Sequence, residues 1–255
     1  MKSISLYVPG KTFIYKIDPI TKLFYIAVAI IIPIVAPAQI VSYICLAVSL
    51  LIILFGKIIK KVLPIISFSA IILVTVVIIQ GLFKLDNKTP MFSIGPLTFY
   101  KEGLSYALVI CMRVFNILFA FSILVLTTKP SDLIESLVRK GLSPKIGYVL
   151  DSVLQIIPEM TATMSTITDA QRSRGLETEG KLSTRIKAFF PLIGPVVMNS
   201  LVATRERAMA LEVRGFNSKR EKSFLNEEFK SPYSRVLQWT LTLLLILTIL
   251  WRILS

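Results

Sequence analysis

The sequence predicts an all-α integral membrane protein of about five transmembrane helices, with a large set of amphipathic helices between the fourth span and the last. Three observations carry this. The chain of 255 residues is 54% hydrophobic and 17% charged, with a mean hydropathy of +0.73, whereas soluble domains are about a quarter charged. It contains apolar runs near the ~20 residues needed to cross a hydrocarbon core of ~30 Å. Between the last two of them lie about a hundred residues, far more than a connecting loop requires, and their apolar residues recur at helical spacing.

The elements follow in order. Residues 1–21 form an N-terminal segment in which Met1 to Lys16 shows no succession of charged, apolar and small-residue regions, so no cleaved signal peptide is expected. Residues 22–128 hold four spans. The first, Lys22 to Ala36, is short, with Pro33 inside it and Pro37 ending it, and the second, Ala38 to Phe55, follows at once as a tight helical hairpin. The third runs from Val62 to Phe83 and the fourth from Gly103 to Thr128, while the last, Val236 to Leu254, lies within residues 233–255. Lys2, Lys11, Lys16 and Lys22 precede the first span, and Lys57, Lys60 and Lys61 separate the second from the third. Cytoplasmic loops carry an excess of lysine and arginine, so both belong on the cytoplasmic side. The connection Ala36 to Gln39 is uncharged and that from Lys84 to Glu102 is nearly balanced, so these face outward. The alternation places residues 129–232 in the cytoplasm and Ser255 outside.

In residues 129–232, Leu133, Leu137 and Val138 mark a first helix, opened by Pro130-Ser131 and closed at Lys140-Gly141. Val149, Leu150, Val153, Leu154 and Ile157 mark a second, opened by Ser143-Pro144. Pro158 is expected to kink it or to begin a new helix ending at Gly175. Another begins near Ser183, is interrupted around Pro191 and Pro195, and resumes toward Gly215. The charged stretch Asn217 to Lys230 reads as a solvated linker into the last span.

One helix end occurs twice. Ala170-Gln171-Arg172-Ser173-Arg174-Gly175-Leu176 aligns with Ala210-Leu211-Glu212-Val213-Arg214-Gly215-Phe216, so that Ala, Arg, Gly and an apolar residue coincide 40 positions apart. Capping explains part of it: glycine supplies a left-handed residue after the helix, the next apolar side chain folds back, and arginine favours the negative end of the helix dipole. Capping does not explain the matched arginines and alanines. An arginine fork pairs bidentately with carboxylates and suits a desolvated interface, so two forks on rigid tips could make a two-point contact with a partner protein. Capping alone and capping with docking are both open on the residues themselves.

At these tips the chain resembles the transmembrane energy-coupling (T) component of energy-coupling factor transporters, the family that includes the cobalt and biotin transport membrane subunits. Tyr7-Val8-Pro9-Gly10-Lys11-Thr12 and Ile17-Asp18-Pro19-Ile20-Thr21-Lys22-Leu23 are similar to its N-terminal Pro-Gly segment and its Leu-Asp-Pro-Arg-x-Lys-Leu motif. Leu126-Thr127-Thr128 and Ile156-Ile157-Pro158-Glu159-Met160 fall where the family has similar residues. The chain departs from the pattern at Ser173 and Val213, where the family usually has alanine, and at Ile20, where it commonly has arginine. The resemblance implies a multi-pass scaffold in a prokaryotic cell membrane with a cytoplasmic N-terminus, part of an ATP-driven importer of a vitamin or transition-metal ion. Its partners would be two ABC-type ATPase subunits and a small substrate-binding S component, all within or against the lipid bilayer. The tips, Arg174-Gly175 and Arg214-Gly215 with Ala170, Ser173, Ala210 and Val213, would dock on the ATPases. ATP and Mg would belong to those ATPase subunits, with no cofactor on this chain. By the same resemblance residues 129–232 are coupling helices, on which Ala162, Ala188, Gly194 and Ala203 would suit sliding contacts or ordinary packing.

Other functions fit less well. The chain has no Gly-x-x-x-x-Gly-Lys-Ser/Thr loop and no histidine, so it lacks a phosphate-binding loop and the histidine-based catalytic arrangements. Its charge of +14 is spread around apolar runs rather than gathered with aromatics, so nucleic acid is not an expected partner. Cys45 and Cys111 lie in apolar runs and read as small buried hydrophobes. Arg113, inside the fourth span, must face protein, contact another subunit or snorkel. Asp18 and Asp151 read as N-caps or solvated surface, with pairing to arginines as the alternative. A secondary transporter or channel would usually double its membrane half and place ionisable groups at mid-bilayer; here the doubling lies between the spans. A membrane-anchored adaptor is a third class.

Overall fold

The structure, a computed structural model, describes residues 6–10, 12–36, 38–84, 89–94, 97–176, 182–218, 224 and 232–254. It divides into two compact units, a helical bundle built from Ser5–Leu137 with Glu228–Ser255 and a second unit built on Val138–Glu227.

The bundle contains α1 (Pro19–Val35), α2 (Gln39–Gly56), α3 (Ile59–Phe83), α4 (Lys101–Thr127) and α8 (Pro232–Leu254). Four of these are long and apolar enough to cross a membrane, and α1, with 17 residues, is a shorter apolar helix. They correspond to the five expected spans. A fifth stretch of sufficient length and apolarity, Ala188–Val213, lies in the second unit rather than the bundle. The helix α4 is central, packing on α1, α2 and α3. Its inward residues Phe119, Ala120, Ile123, Leu124 and Leu126 meet Ile26 and Ala29 of α1, Ile53 of α2 and Val62 of α3. Phe68, Ile71, Ile72, Ile78 and Ile79 of α3 point outward, an arrangement suited to a hydrocarbon solvent that demands apolar surface and internally satisfied backbone.

Helix ends show how the bundle is oriented. Thr21 at the start of α1 accepts a 2.7 Å hydrogen bond from Gln238 near the start of α8. Lys22 reaches Thr127 and Thr128 at the end of α4. The N-terminal segment crosses the same end: the Val8 N–H donates to the Leu126 carbonyl at 3.0 Å, and Ile14, in a 3-10 turn Phe13–Lys16, packs with Ile53 and Ile58 at the α2–α3 corner. The starts of α1, α3 and α8 and the ends of α2 and α4 therefore share one side, the alternation that the lysine-bearing loops predict.

Pro33 sits inside α1 as read from the sequence. A proline cannot donate to the carbonyl four residues earlier, here that of Ala29. Asn116 of α4 supplies the missing donor, its Nδ2 lying 2.7 Å from the Ala29 oxygen. Its Oδ1 accepts from Ser49 of α2 at 2.6 Å, and Ser49 is 2.7 Å from the Tyr25 hydroxyl of α1. Three helices are thus joined by one buried polar chain that the sequence reading did not find.

The connection Lys84 to Glu102, read only as an outward loop, contains an antiparallel hairpin, β1 (Pro90–Ile94) and β2 (Leu97–Tyr100), with a register irregularity between Pro90 and Phe92. The apolar and aromatic residues of the two strands favour extended structure. Phe99 lies so close to Gly81 of α3 that a Cβ there would come within 2.9 Å of the ring, which accounts for a glycine late in a membrane helix. Glu102 accepts from the Thr89 hydroxyl at 2.6 Å.

Beyond α4 comes the amphipathic α5 (Pro130–Arg139), whose charged first and last turns, Asp132 and Arg139, match the helix dipole. The second unit is mainly two long helices, α6 (Pro144–Ser173) and α7 (Leu182–Val213). Of the two expectations for Pro158, a new helix is ruled out, since α6 runs through it, and the expected interruption around Pro191 and Pro195 is corrected, since α7 is continuous there. Each proline forfeits one hydrogen bond, but when the ring lies on an exposed or half-exposed face, as here, the turns on either side continue. The expected linker Asn217 to Lys230 is described only at residues 217, 218 and 224.

Candidate functional site

The site is built on α6 and α7. Pro144 occupies the first turn of α6 after Ser143, a position where its missing N–H costs nothing. Glu159 of α6 pairs with Arg207 of α7, and beside that pair a shallow groove is lined by Ile156, Thr163, Asn199 and Ala203. Tyr148, one turn into α6, lies with its ring 5.1 Å from Phe216, just after α7. Early residues of one helix thus face late residues of the other, so the two run antiparallel. The Gly215 tip therefore sits beside the start of α6 and the Gly175 tip at its end. From Tyr148 to Arg174 is about 39 Å of helix at 1.5 Å per residue. Two ends that are alike in sequence lie at opposite extremes of one antiparallel pair.

Both ends have the same backbone. Gly175 has φ 88° and Gly215 φ 69°, in the left-handed region. At the first, the Leu176 N–H donates to the Gln171 carbonyl at 3.0 Å and the Gly175 N–H to that of Arg172 at 2.9 Å; at the second, Phe216 donates to Leu211 at 3.0 Å and Gly215 to Glu212 at 2.9 Å. These paired bonds define a Schellman cap, with its apolar residue folded back. Leu176 and Phe216 are half-buried, whereas Ala170, Ser173, Arg174, Ala210, Val213 and Arg214 are exposed. Neither Arg174 nor Arg214 forms an ion pair with another described residue. The Ser173 hydroxyl is engaged with the Asp169 carbonyl at 3.1 Å, while Val213 is 89% exposed, an apolar surface beside Arg214. A Cβ meets no atom within 4 Å at either glycine, so Gly175→Ala and Gly215→Ala are strained by backbone conformation alone, at about 1–2 kcal/mol each. Faster hydrogen exchange at the Leu176 and Phe216 amides, with the remaining amides of α6 and α7 unchanged, is the expected result.

Other expected residues are placed as follows. Ala188 is buried, Ala162 and Ala203 are half-buried, and Gly194 is exposed with open space around it. Asp18 is the N-cap of α1, accepting from the Ile20 N–H at 3.3 Å. Asp151 is no cap: it lies inside α6 and accepts from Gln155 at 2.7 Å. Arg113 is half-buried, and its Nε atom is buried without a hydrogen-bond partner. Lys22, expected as a motif residue and as one of the charges preceding the first span, is instead buried within α1 among hydroxyl and carbonyl oxygens; a lysine directly beside an apolar run was the available signal.

Comparison with known proteins agrees with this architecture. The profile of the CbiQ family, described as cobalt transport protein, matches residues 10–224. The chain belongs to the CbiQ/EcfT family. Relatives named energy-coupling factor transporter transmembrane protein EcfT include one from Streptococcus equi subsp. equi, 29% identical over 96% of this chain and 91% of its own length. One from Clostridium kluyveri is 31% identical over 83% of this chain and 82% of its own, and one from Lactococcus lactis subsp. cremoris is 28% identical over 96% of each. As a member of this family the chain is a multi-pass transmembrane component of an energy-coupling factor transporter.

Proposed function

We propose that this chain is the coupling scaffold of an ATP-driven importer, with Arg174 and Arg214 as its docking points on two ATPase subunits. The observation that carries the reading is the placement of two exposed, glycine-capped arginines at opposite ends of one antiparallel helix pair. An exposed helix-end charge contributes only about 0.3–1 kcal/mol, too little to account for two matched tips by capping alone. An interfacial charge pair loses about 2–5 kcal/mol when truncated. Each arginine would enter a receiving surface rich in carboxylates, with Val213 adding apolar contact at the second tip. ATP and Mg would be bound and ATP hydrolysed by the ATPase subunits. A separate membrane S component would bind the vitamin or transition-metal ion, and the exposed apolar faces of α6 and α7 would meet it. In this reading the bundle end that gathers the starts of α1, α3 and α8 is cytoplasmic and the protein lies in a prokaryotic inner membrane.

Affinity capture of the two ATPase subunits tests it. Arg174→Ala and Arg214→Ala are each expected to weaken retention, and the double variant to lose it nearly completely, while the purified chain keeps its wild-type helicity. Equal retention by the double variant and wild type sinks the docking role, and unfolding of either single variant returns the tips to capping alone.

A further inference from the structure

Lys22 is 4% exposed. Its Nζ donates to the Thr127 carbonyl at 3.2 Å, the Thr127 hydroxyl at 2.9 Å and the Thr128 hydroxyl at 3.0 Å. An ammonium has three hydrogens and no acceptor, so these three oxygens satisfy it completely. The Thr127 hydroxyl donates backward to the Ile123 carbonyl at 2.5 Å, which leaves its lone pairs for Lys22. The carbonyl of Thr127, last residue of α4, belongs to the negative end of that helix, where a cation is favoured. Removing an ammonium from water costs several kcal/mol, and ordinary packing would not need one here, since apolar residues join α1 to α4 elsewhere.

Its location in the chain gives the burial a role. Thr127 and Thr128 are the last residues before Lys129 and Pro130, where α5 begins and leads on to α6. The Val8 N–H closes on Leu126 at the same end of α4, and Thr21, beside Lys22, holds Gln238 of α8. Among the described residues, the carboxylates that act on Lys22 are those of Asp132, in the first turn of α5, and Asp18. The chain thus leaves α4 from a point fixed to α1 and α8. A loose exit would let displacement of α6 and α7 be absorbed at residues 128–130.

We propose that Lys22 is a positioning residue for coupling: its ammonium pins the end of α4, and so the root of α5, to the start of α1, so that displacement beyond the root is passed into the bundle. This rests on the reading of the tips as ATPase docking points.

The test uses the complex of this chain with its ATPase subunits in lipid nanodiscs, with and without ATP, followed by hydrogen exchange at the start of α1 and the last turn of α4. In the wild type, ATP is expected to change exchange at this junction by about fivefold, a typical coupling strength. In Lys22→Met, ATPase retention and ATP hydrolysis stay at wild-type levels while the response falls below about twofold; Lys22→Arg restores it. A full response in Lys22→Met, or none in the wild type, overturns the proposal. Should Lys22→Met fail to fold, Thr128→Val, which removes one acceptor, decides: a response cut by about half supports the role and an unchanged one overturns it. A wild-type chain that retains no ATPase subunit sinks the docking reading and this proposal with it, whereas retained ATPases with an unchanged response sink this proposal alone.

Discussion

Asn116→Leu is expected to destabilise the isolated bundle by about 2 kcal/mol, and Pro33→Ala to recover about half of that loss. Polar contacts between membrane helices average only about 0.6 kcal/mol, because a helix separated in lipid finds other partners. Asn116 exceeds that average for a reason specific to α1. The Ala29 carbonyl it serves has lost its own donor to Pro33, and a carbonyl left unpaired in a dry interior costs about 1–3 kcal/mol. The same substitution removes the acceptor to which the Ser49 hydroxyl donates at 2.6 Å, leaving Ser49 the Tyr25 hydroxyl at 2.7 Å as its partner. With alanine at position 33, the backbone N–H of residue 33 can reach Ala29, and Asn116 becomes less necessary. Reversible unfolding in detergent micelles of the wild type, both single variants and the double variant measures the coupling. Strict additivity would show that Asn116 and Pro33 are not energetically linked.

That pair also marks the limit of what the sequence makes legible. Pro33 announces an orphaned carbonyl, but which helix answers it depends on the packing of α4 against α1, a contact between residues far apart in the chain. Membrane spans are legible because apolar length is a local property, and α2, α3, α4 and α8 lie where the runs of apolar residues place them. Both helix tips are legible for the same reason: glycine followed by an apolar residue encodes its own cap. The hairpin β1–β2 was hidden by its brevity, and the continuity of α6 and α7 by prolines that weaken a helix without ending it. The separation of the tips was out of reach. Two matched motifs 40 residues apart are compatible with neighbouring or distant ends, and only the antiparallel run of α6 against α7, fixed by Tyr148 with Phe216 and Glu159 with Arg207, sets them apart.

This separation makes a demanding prediction. Inserting four alanines between Thr168 and Asp169 lengthens α6 by about 6 Å and turns its end by about 40°, while the cap at Gly175 moves as a unit and keeps every hydrogen bond. The insertion lies beyond the groove residues Ile156, Glu159, Met160 and Thr163, so the packing of α6 on α7 there is preserved. If each tip bound independently, retention of the proposed ATPase partners would hardly change. If the two subunits are engaged together at a set span, the second tip loses its seat once the first is occupied, and the advantage of linked binding, about 100-fold or more for two rigidly joined contacts, disappears. Capture of the ATPase subunits is expected to fall to the level of the Arg174→Ala single variant, with normal protection of the Leu176 amide confirming that the cap is intact. Unchanged capture would show that the tips act separately, and the distance α6 imposes between Arg174 and Arg214 would then serve packing alone.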